Sequence, residues 1–253
     1  MWSGKWRRDR KMKSSSATQD KKLLLTMTGE IFHPTRLYYQ VFDQSTLVHI
    51  FQRLDCMDYD KSRGRWVWLY QGKASKLKFS QTPTDLPKDS GPIVLGSFFL
   101  KSNSEAHLDV RSFERATKAV RFFDRYILRK VAKVTDIAIV NACFEYTTKP
   151  PMDFDVFFES DRIEQLRPEA LLEALEPFQA IVDVEQRRSR VLSHMQGMMK
   201  ARLPNVERFP TNYYEDGIKS LEMVLRTREI VSFEHWKGNK DFTLFDVIGG
   251  LVR

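Results

Sequence analysis

Apolar and polar positions follow two rhythms along this chain, and the rhythm changes most sharply between residues 108 and 142. His107, Leu108, Asp109 and Val110 alternate as a strand does, and Ser112 follows where a helix N-cap is wanted, because its hydroxyl can accept an orphan backbone N–H. Phe113, Ala116, Val120, Phe123 and Ile127 then recur at helical spacing, with Ala119 and Tyr126 on the flank, which predicts a helix over 113–127. Residues 134–140 are short, β-branched and nearly all apolar, the signature of a buried strand. Upstream, residues 37–42 form a strand by residue type. Ser45 is placed to cap a helix whose apolar face is Leu47, Ile50, Phe51 and Leu54. A strand over 66–70 puts Trp66, Trp68 and Tyr70 on one face, and 93–100 is the next strand, with a bulge expected at Gly96. Residues 77–79 make a short edge strand, and the turn-forming residues 58–64 and the proline-rich stretch 81–92 are loops.

Strand, helix, strand, strand, helix, strand across residues 36–141 predicts an α+β fold: an N-terminal mixed β-sheet with two helices, in an order compatible with the split βαβ arrangement of ferredoxin-like domains. A mainly helical C-terminal region follows. The expected divisions are a disordered basic leader over 1–28, the α+β domain over 29–146, and the helical region over 147–253 packed on it. Lys149-Pro150-Pro151 is the linker between the last two, and Phe154, Val156, Phe157 and Phe158 are an apolar cluster beyond it. Pro168 opens a helix with Leu171, Leu172 and Leu175; Pro177 starts or kinks a longer one carrying Phe178, Ile181, Val182, Leu192, Met195 and Met199. Pro204 and Pro210 frame a loop. Asn212 with Glu215, and Thr243 with Asp246, have capping-box spacing ahead of two further helices.

Charge changes the picture locally rather than globally. The chain carries a net +8, but residues 1–22 hold eight Lys or Arg against two Asp, a net +6; the remaining 231 residues have 33 basic and 31 acidic groups, a net +2. The basic character of the body is concentrated on the predicted helix. Arg111, Arg115, Lys118, Arg121, Arg125 and Arg129 step by four, three, three, four and four, giving a stripe opposite the apolar arc, with Phe122 projecting into it and Glu114 at its edge. Six like charges need neutralising, and three sources fit: a phosphate backbone, an acidic partner protein, or acids elsewhere in this chain.

The reading this favours is a non-catalytic nucleic-acid-binding protein, RNA before DNA, contacting phosphate through that helix face, with Phe122 stacking on a base of a single strand. The alternative is a protein-interaction or assembly factor whose stripe meets an acidic partner and whose apolar anchor is 154–158. A third reading is a Mg-dependent nuclease, with Asp109 and Asp136 at strand ends and Glu145 near by. A hint of the RNA-recognition motif lies in Arg63-Gly64-Arg65-Trp66-Val67-Trp68, but its spacing and its place on the second strand depart from that pattern, so Trp66 and Trp68 are expected in the core.

Other chemistries lack their residues. His33, His49, His107, His194 and His235 show no metal-ligand spacing, so neither metal nor cofactor is expected, and no glycine-rich phosphate loop follows a strand. Cys56 and Cys143 stand outside any CxxC spacing, which fits a reducing compartment. No run approaches the ~18 apolar residues of a transmembrane segment. A cytoplasmic location is expected, with organelle import through the basic leader as the alternative.

Overall fold

A computed structural model describes residues 21–79, 91–147, 153–159 and 163–251. The leader up to residue 20, Trp2 and Trp6 within it, most of the 81–92 loop and the Lys149-Pro150-Pro151 linker lie outside the described residues. Among those described, eight strands form one mixed sheet: β1 (Thr35–Val41), β2 (Met57–Asp60), β3 (Arg65–Leu69), β4 (Val94–Leu100), β5 (Glu105–Val110), β6 (Ala132–Val140), β7 (Glu164–Gln165) and β8 (Val206–Pro210). The helices are α1 (Gln44–Arg53), α2 (Phe113–Asp124), α3 (Asp155–Phe158), α4 (Pro168–Gln179), α5 (Val184–Lys200), α6 (Tyr213–Asp216), α7 (Ile218–Trp236) and α8 (Leu244–Leu251).

The sheet runs β2-β3-β4-β5-β1-β6-β8-β7, antiparallel at every pairing except β7 with β8. The fold is therefore α+β, but the order is not the simple βαββαβ sheet. The β2–β3 hairpin extends one edge, and β8 with β7 extends the other. Residues 58–60, read as turn chemistry, form the outer strand of that hairpin, and the turn proper needs Gly64, whose φ of +60° suits a residue without Cβ. The register of β3 on β4 shifts between Trp68 and Leu69, beside Gly96, where a bulge was expected. Gly96 is also a close approach: a Cβ there would lie 2.9 Å from the Asp109 carbonyl oxygen and from the side chains of Leu108 and Val110.

One sheet face carries the main core. Leu37 and Tyr39 of β1, Leu108 and Val110 of β5, and Trp66 and Trp68 of β3 pack against Leu47 and Phe51 of α1 and Phe113, Ala116, Val120 and Phe123 of α2. Trp68 lies 5.1 Å from Phe123 and 5.3 Å from Phe122 by ring centroids, so the Trp66–Trp68 face is core, as expected. Asp43, not Ser45, caps α1: its carboxylate accepts the Thr46 N–H at 2.9 Å, and the Ser45 hydroxyl donates to it. Ser112 caps α2 as predicted, accepting the Arg115 N–H at 3.0 Å. That helix ends at Asp124, three residues short of its predicted end, because Arg125 and Tyr126 bond back to Phe122 and Phe123 in a tight turn that returns Ile127 to the core.

The opposite face is covered in part. Leu24 and Phe32 from residues 23–33, with Phe154 and Phe158 of the α3 region, pack on Ala138 and Val140 of β6. Residues 21–28 are thus built into the fold rather than trailing from it: Leu24 donates its N–H to the Phe144 carbonyl at 2.8 Å. Beyond residue 147 the chain contributes β7 and β8 to the same sheet, and Phe209, Leu221 and Leu225 to the same core. Pro177 falls in the last turn of α4 rather than starting a new helix; α5 begins later, where Asp183 accepts the Gln186 N–H at 2.7 Å. Asn212 makes no capping bond, because its φ of +45° is left-handed, and Gly217 separates α6 from α7. Asp246 does bond back to Thr243 at 2.8 Å, as a capping box requires. No helix among the described residues is long and apolar enough to cross a membrane.

Candidate functional site

The residues of the predicted basic stripe do not share one surface. Arg115 is buried. Its Nε donates to Glu30 Oε1 at 2.9 Å, Nη2 to Thr28 Oγ1 at 2.7 Å and Nη1 to the Val94 carbonyl at 3.0 Å. It is a strut joining residues 28–30, α2 and β4. Phe122 is also buried, against Trp68, Phe123 and Tyr126, because the end of α2 leans onto β3. Lys118 pairs with Glu114 at 2.6 Å, Arg121 with Glu222 of α7 at 3.5 Å, and Arg129 with Asp124 at 3.5 Å while lying over the Tyr214 ring at 4.4 Å. Arg129 lies beyond the helix end and Arg111 precedes its start. Arg125 is exposed. The groove between α2 and α7, ≈ 450 Å³, is lined by Glu30, Glu114, Glu222 and Glu229 against Lys118 and Arg226, so acids of this chain flank the stripe.

Burial opposes ionisation of Glu30, yet the Arg115 charge and the hydroxyls of Thr26 and Thr28 hold its carboxyl below the ordinary range. The acid that matters most to Arg115 thus lies 85 residues earlier in the chain, in a segment with no helical or strand periodicity.

A second cluster of charged groups lies on the less covered sheet face; of its members the sequence singled out Asp109 and Asp136 but not Arg36, Asp155 or Arg208. Arg36 of β1 sits directly opposite Asp109 of β5 in the register. Its Nε and Nη2 donate to the two Asp109 oxygens at 2.6 and 2.9 Å, and Nη2 also reaches Asp155 of α3 at 2.6 Å. Next to it a cavity of ≈ 660 Å³ is lined by Tyr38, Lys101, His107, Asp136, Phe158 and Arg208, among others. Arg208 lies over the Tyr38 ring at 3.8 Å and pairs with Asp136 at 3.5 Å; Lys101 pairs with Glu159 at 3.1 Å. The signal that would find this site is alternation: Arg36 and Tyr38, and His107 and Asp109, are polar positions on strands whose other positions are core.

Among the described residues the Arg36, Arg208 and Lys101 charges of this cluster are paired within the chain. Asp109 and Asp136 of the nuclease reading are held by Arg36 and Arg208, and Glu145 lies instead beside Leu23. Among the described residues no three His, Cys, Asp or Glu side chains come together as a metal site.

Two buried histidines give the fold a pH dependence. Burial pushes His33 down to about 4, against the opposing bonds from the Val140 and Ala142 carbonyls; burial with the Arg36 and Lys101 charges pushes His107 down to about 3. Unfolded, both titrate near ~6.5. The unfolded chain therefore binds more protons below that pH, and stability is complete above pH ~6.5 and falls as pH drops toward 4. Between about pH 7 and about pH 5, urea unfolding should lose about 2–4 kcal/mol, and His33→Gln with His107→Gln should flatten the profile. A flat parent profile contradicts neutral burial of the two rings.

Comparisons of the chain with protein-family models, with curated proteins and with solved structures found no match.

Proposed function

We propose that this is a non-catalytic protein-interaction module that assembles through the α4–α5 hairpin, with a second copy of the chain as the occupant of that face. The observation that carries the reading is α5 itself. It is 17 residues and about 25 Å long, and not one of its residues is buried. Yet Val184, Leu192 and Met195 are 62, 49 and 45% exposed, and Leu172 on α4 is 65% exposed. Apolar area of this kind on a folded surface is what association removes from water.

Charge argues for a second copy. Glu169, Leu172, Glu173 and Glu176 fall at i, i+3, i+4 and i+7 on α4, so the exposed acids border Leu172. Val184, Arg188, Leu192 and Met195 share one face of α5, beside Arg187. None of these five charges forms an ion pair within the described residues. A two-fold axis near the hairpin tip would set the acid limb of each copy on the basic limb of the other, which is the self-complementarity an isologous dimer needs.

The test uses charge exchange in the full chain, read by sedimentation equilibrium. Glu173→Lys with Glu176→Lys should weaken self-association at least tenfold, and so should Arg187→Glu with Arg188→Glu. Mixing the two variants should restore a dimer, because each then offers the other opposite charge on both limbs. A parent that stays monomeric at tens of micromolar, or variants that dimerise like the parent, contradicts the proposal.

The competing reading keeps α2 as a phosphate contact. It is favoured by the exposed side chains of Arg121, Arg125 and Arg129. It is weakened by the acid-lined groove beside them and by the buried places of Arg115 and Phe122. We also infer a split βαβ core within the larger sheet. Supporting this are the inner order β4-β5-β1-β6, α2, which joins β5 to β6, and α1, which follows β1 and reaches β4 only by way of the β2–β3 hairpin.

A further inference from the structure

Three arginines reach one stretch of the sheet from its opposite ends. Arg63 and Arg65 flank Gly64 at that turn, and Arg111 follows the last residue of β5. All three line one cavity of ≈ 80 Å³ on the less covered sheet face, with Ser97 of β4 and the rings of Phe99 and Phe154. Asp109, which also lines the cavity, is bonded through both oxygens to Arg36. Asp60 pairs with Arg65 at 3.1 Å and accepts from Ser62. Arg63 and Arg111 have no ion-pair partner among the described residues. Arg65 Nη1 donates to Ser97 Oγ at 3.1 Å, which leaves the serine hydroxyl hydrogen able to donate to a guest.

We propose that this pocket is an oxyanion site that takes a single phosphoryl or sulfuryl group between Arg63, Arg65, Arg111 and Ser97. Guanidinium groups present planar forks that match the oxygens of such a group, and several of them around one anion is the usual solution for binding it. The volume sets the size. The cavity is small, ≈ 80 Å³, which suits one compact anion, and the rest of a larger ester would project past the exposed Arg63. The surroundings supply the need for an anion: burial and the neighbouring charges of Arg115 and Arg65 all disfavour the charged form of Arg111, and a bound anion relieves that repulsion. This inference is independent of the α4–α5 interface.

Isothermal titration of the full chain with inorganic phosphate, phosphoserine and adenosine monophosphate, at constant ionic strength set with chloride, tests it. Binding is expected in the parent and at least tenfold weaker in Arg111→Gln and in Arg63→Gln. Arg63 is exposed, so its variant keeps the test decisive even where Arg111→Gln unfolds. Equal affinities for the three probes identify the isolated group as the ligand; tighter binding of one ester identifies its source. Absence of heat with all three probes, or affinities untouched by Arg63→Gln in a folded protein, overturns the proposal.

Discussion

Replacing Arg115 with methionine is expected to lower the unfolding free energy by about 3–5 kcal/mol, the cost of leaving one buried charge without its partner. Glu30 is the charge left behind, because Arg115 Nε is its ion-pair partner at 2.9 Å and both side chains are nearly inaccessible. Thr28 and the Val94 carbonyl lose a donor in the same step. Urea midpoints measure this directly. The double variant Arg115→Met/Glu30→Gln should recover most of the loss, since it removes the stranded carboxylate as well as the guanidinium. If Arg115→Met costs no more than an exposed arginine, below about 0.5 kcal/mol, then Arg115 faces solvent and the stripe reading of α2 returns.

The second large effect is expected at the other end of the sheet. Glu207 of β8 is 0% exposed, on the core side of the strand with Phe209. Arg228 of α7 holds both its oxygens, Asn141 Nδ2 donates to it at 2.7 Å, and the Arg228 guanidinium lies 4.9 Å from the Phe209 ring centre. Arg228→Met should therefore cost about 3–5 kcal/mol, and Arg228→Met with Glu207→Leu should return within about 1 kcal/mol of the parent, because an apolar pair of similar volume needs no desolvated charge. A double variant as unstable as the single would locate the cost in lost packing rather than in the stranded carboxylate.

These two pairs mark where the sequence was legible and where it was not. Elements whose inward positions are apolar were readable from spacing: α1, α2, β4 and β6 lie within a few residues of their predicted places. β8 was read as a loop because its inward positions are Glu207 and Phe209, and a buried glutamate hides the alternation that would have shown a strand. Its partner Arg228 sits 21 residues later on a helix, a pairing that no local pattern encodes. The same holds for α2. The six cations in and around it were visible as a repeat, but Glu30 and Glu222, which neutralise two of them, come from segments far away in the chain. Phe122 looked exposed because one apolar residue on a basic face has no period of its own; it is the lean of α2 onto β3 that buries it against Trp68. The three-arginine pocket was half visible, since Arg63 and Arg65 are adjacent to a turn, whereas Arg111 joins them only through the pairing of β4 with β5. The exposed row on α5 was read as ordinary helix periodicity, because spacing gives the apolar face and not what covers it.

The α4–α5 hairpin, and not α2, is the face proposed to meet another macromolecule. Photo-crosslinking from a benzophenone side chain placed at Leu192, compared with the same group at Arg125, addresses it in one experiment on the full chain. The account predicts protein crosslinks from position 192, mapping to the 168–200 segment of a second copy, and no crosslinks to nucleic acid from position 125. Crosslinks to RNA or DNA from position 125, with none from position 192, would contradict it.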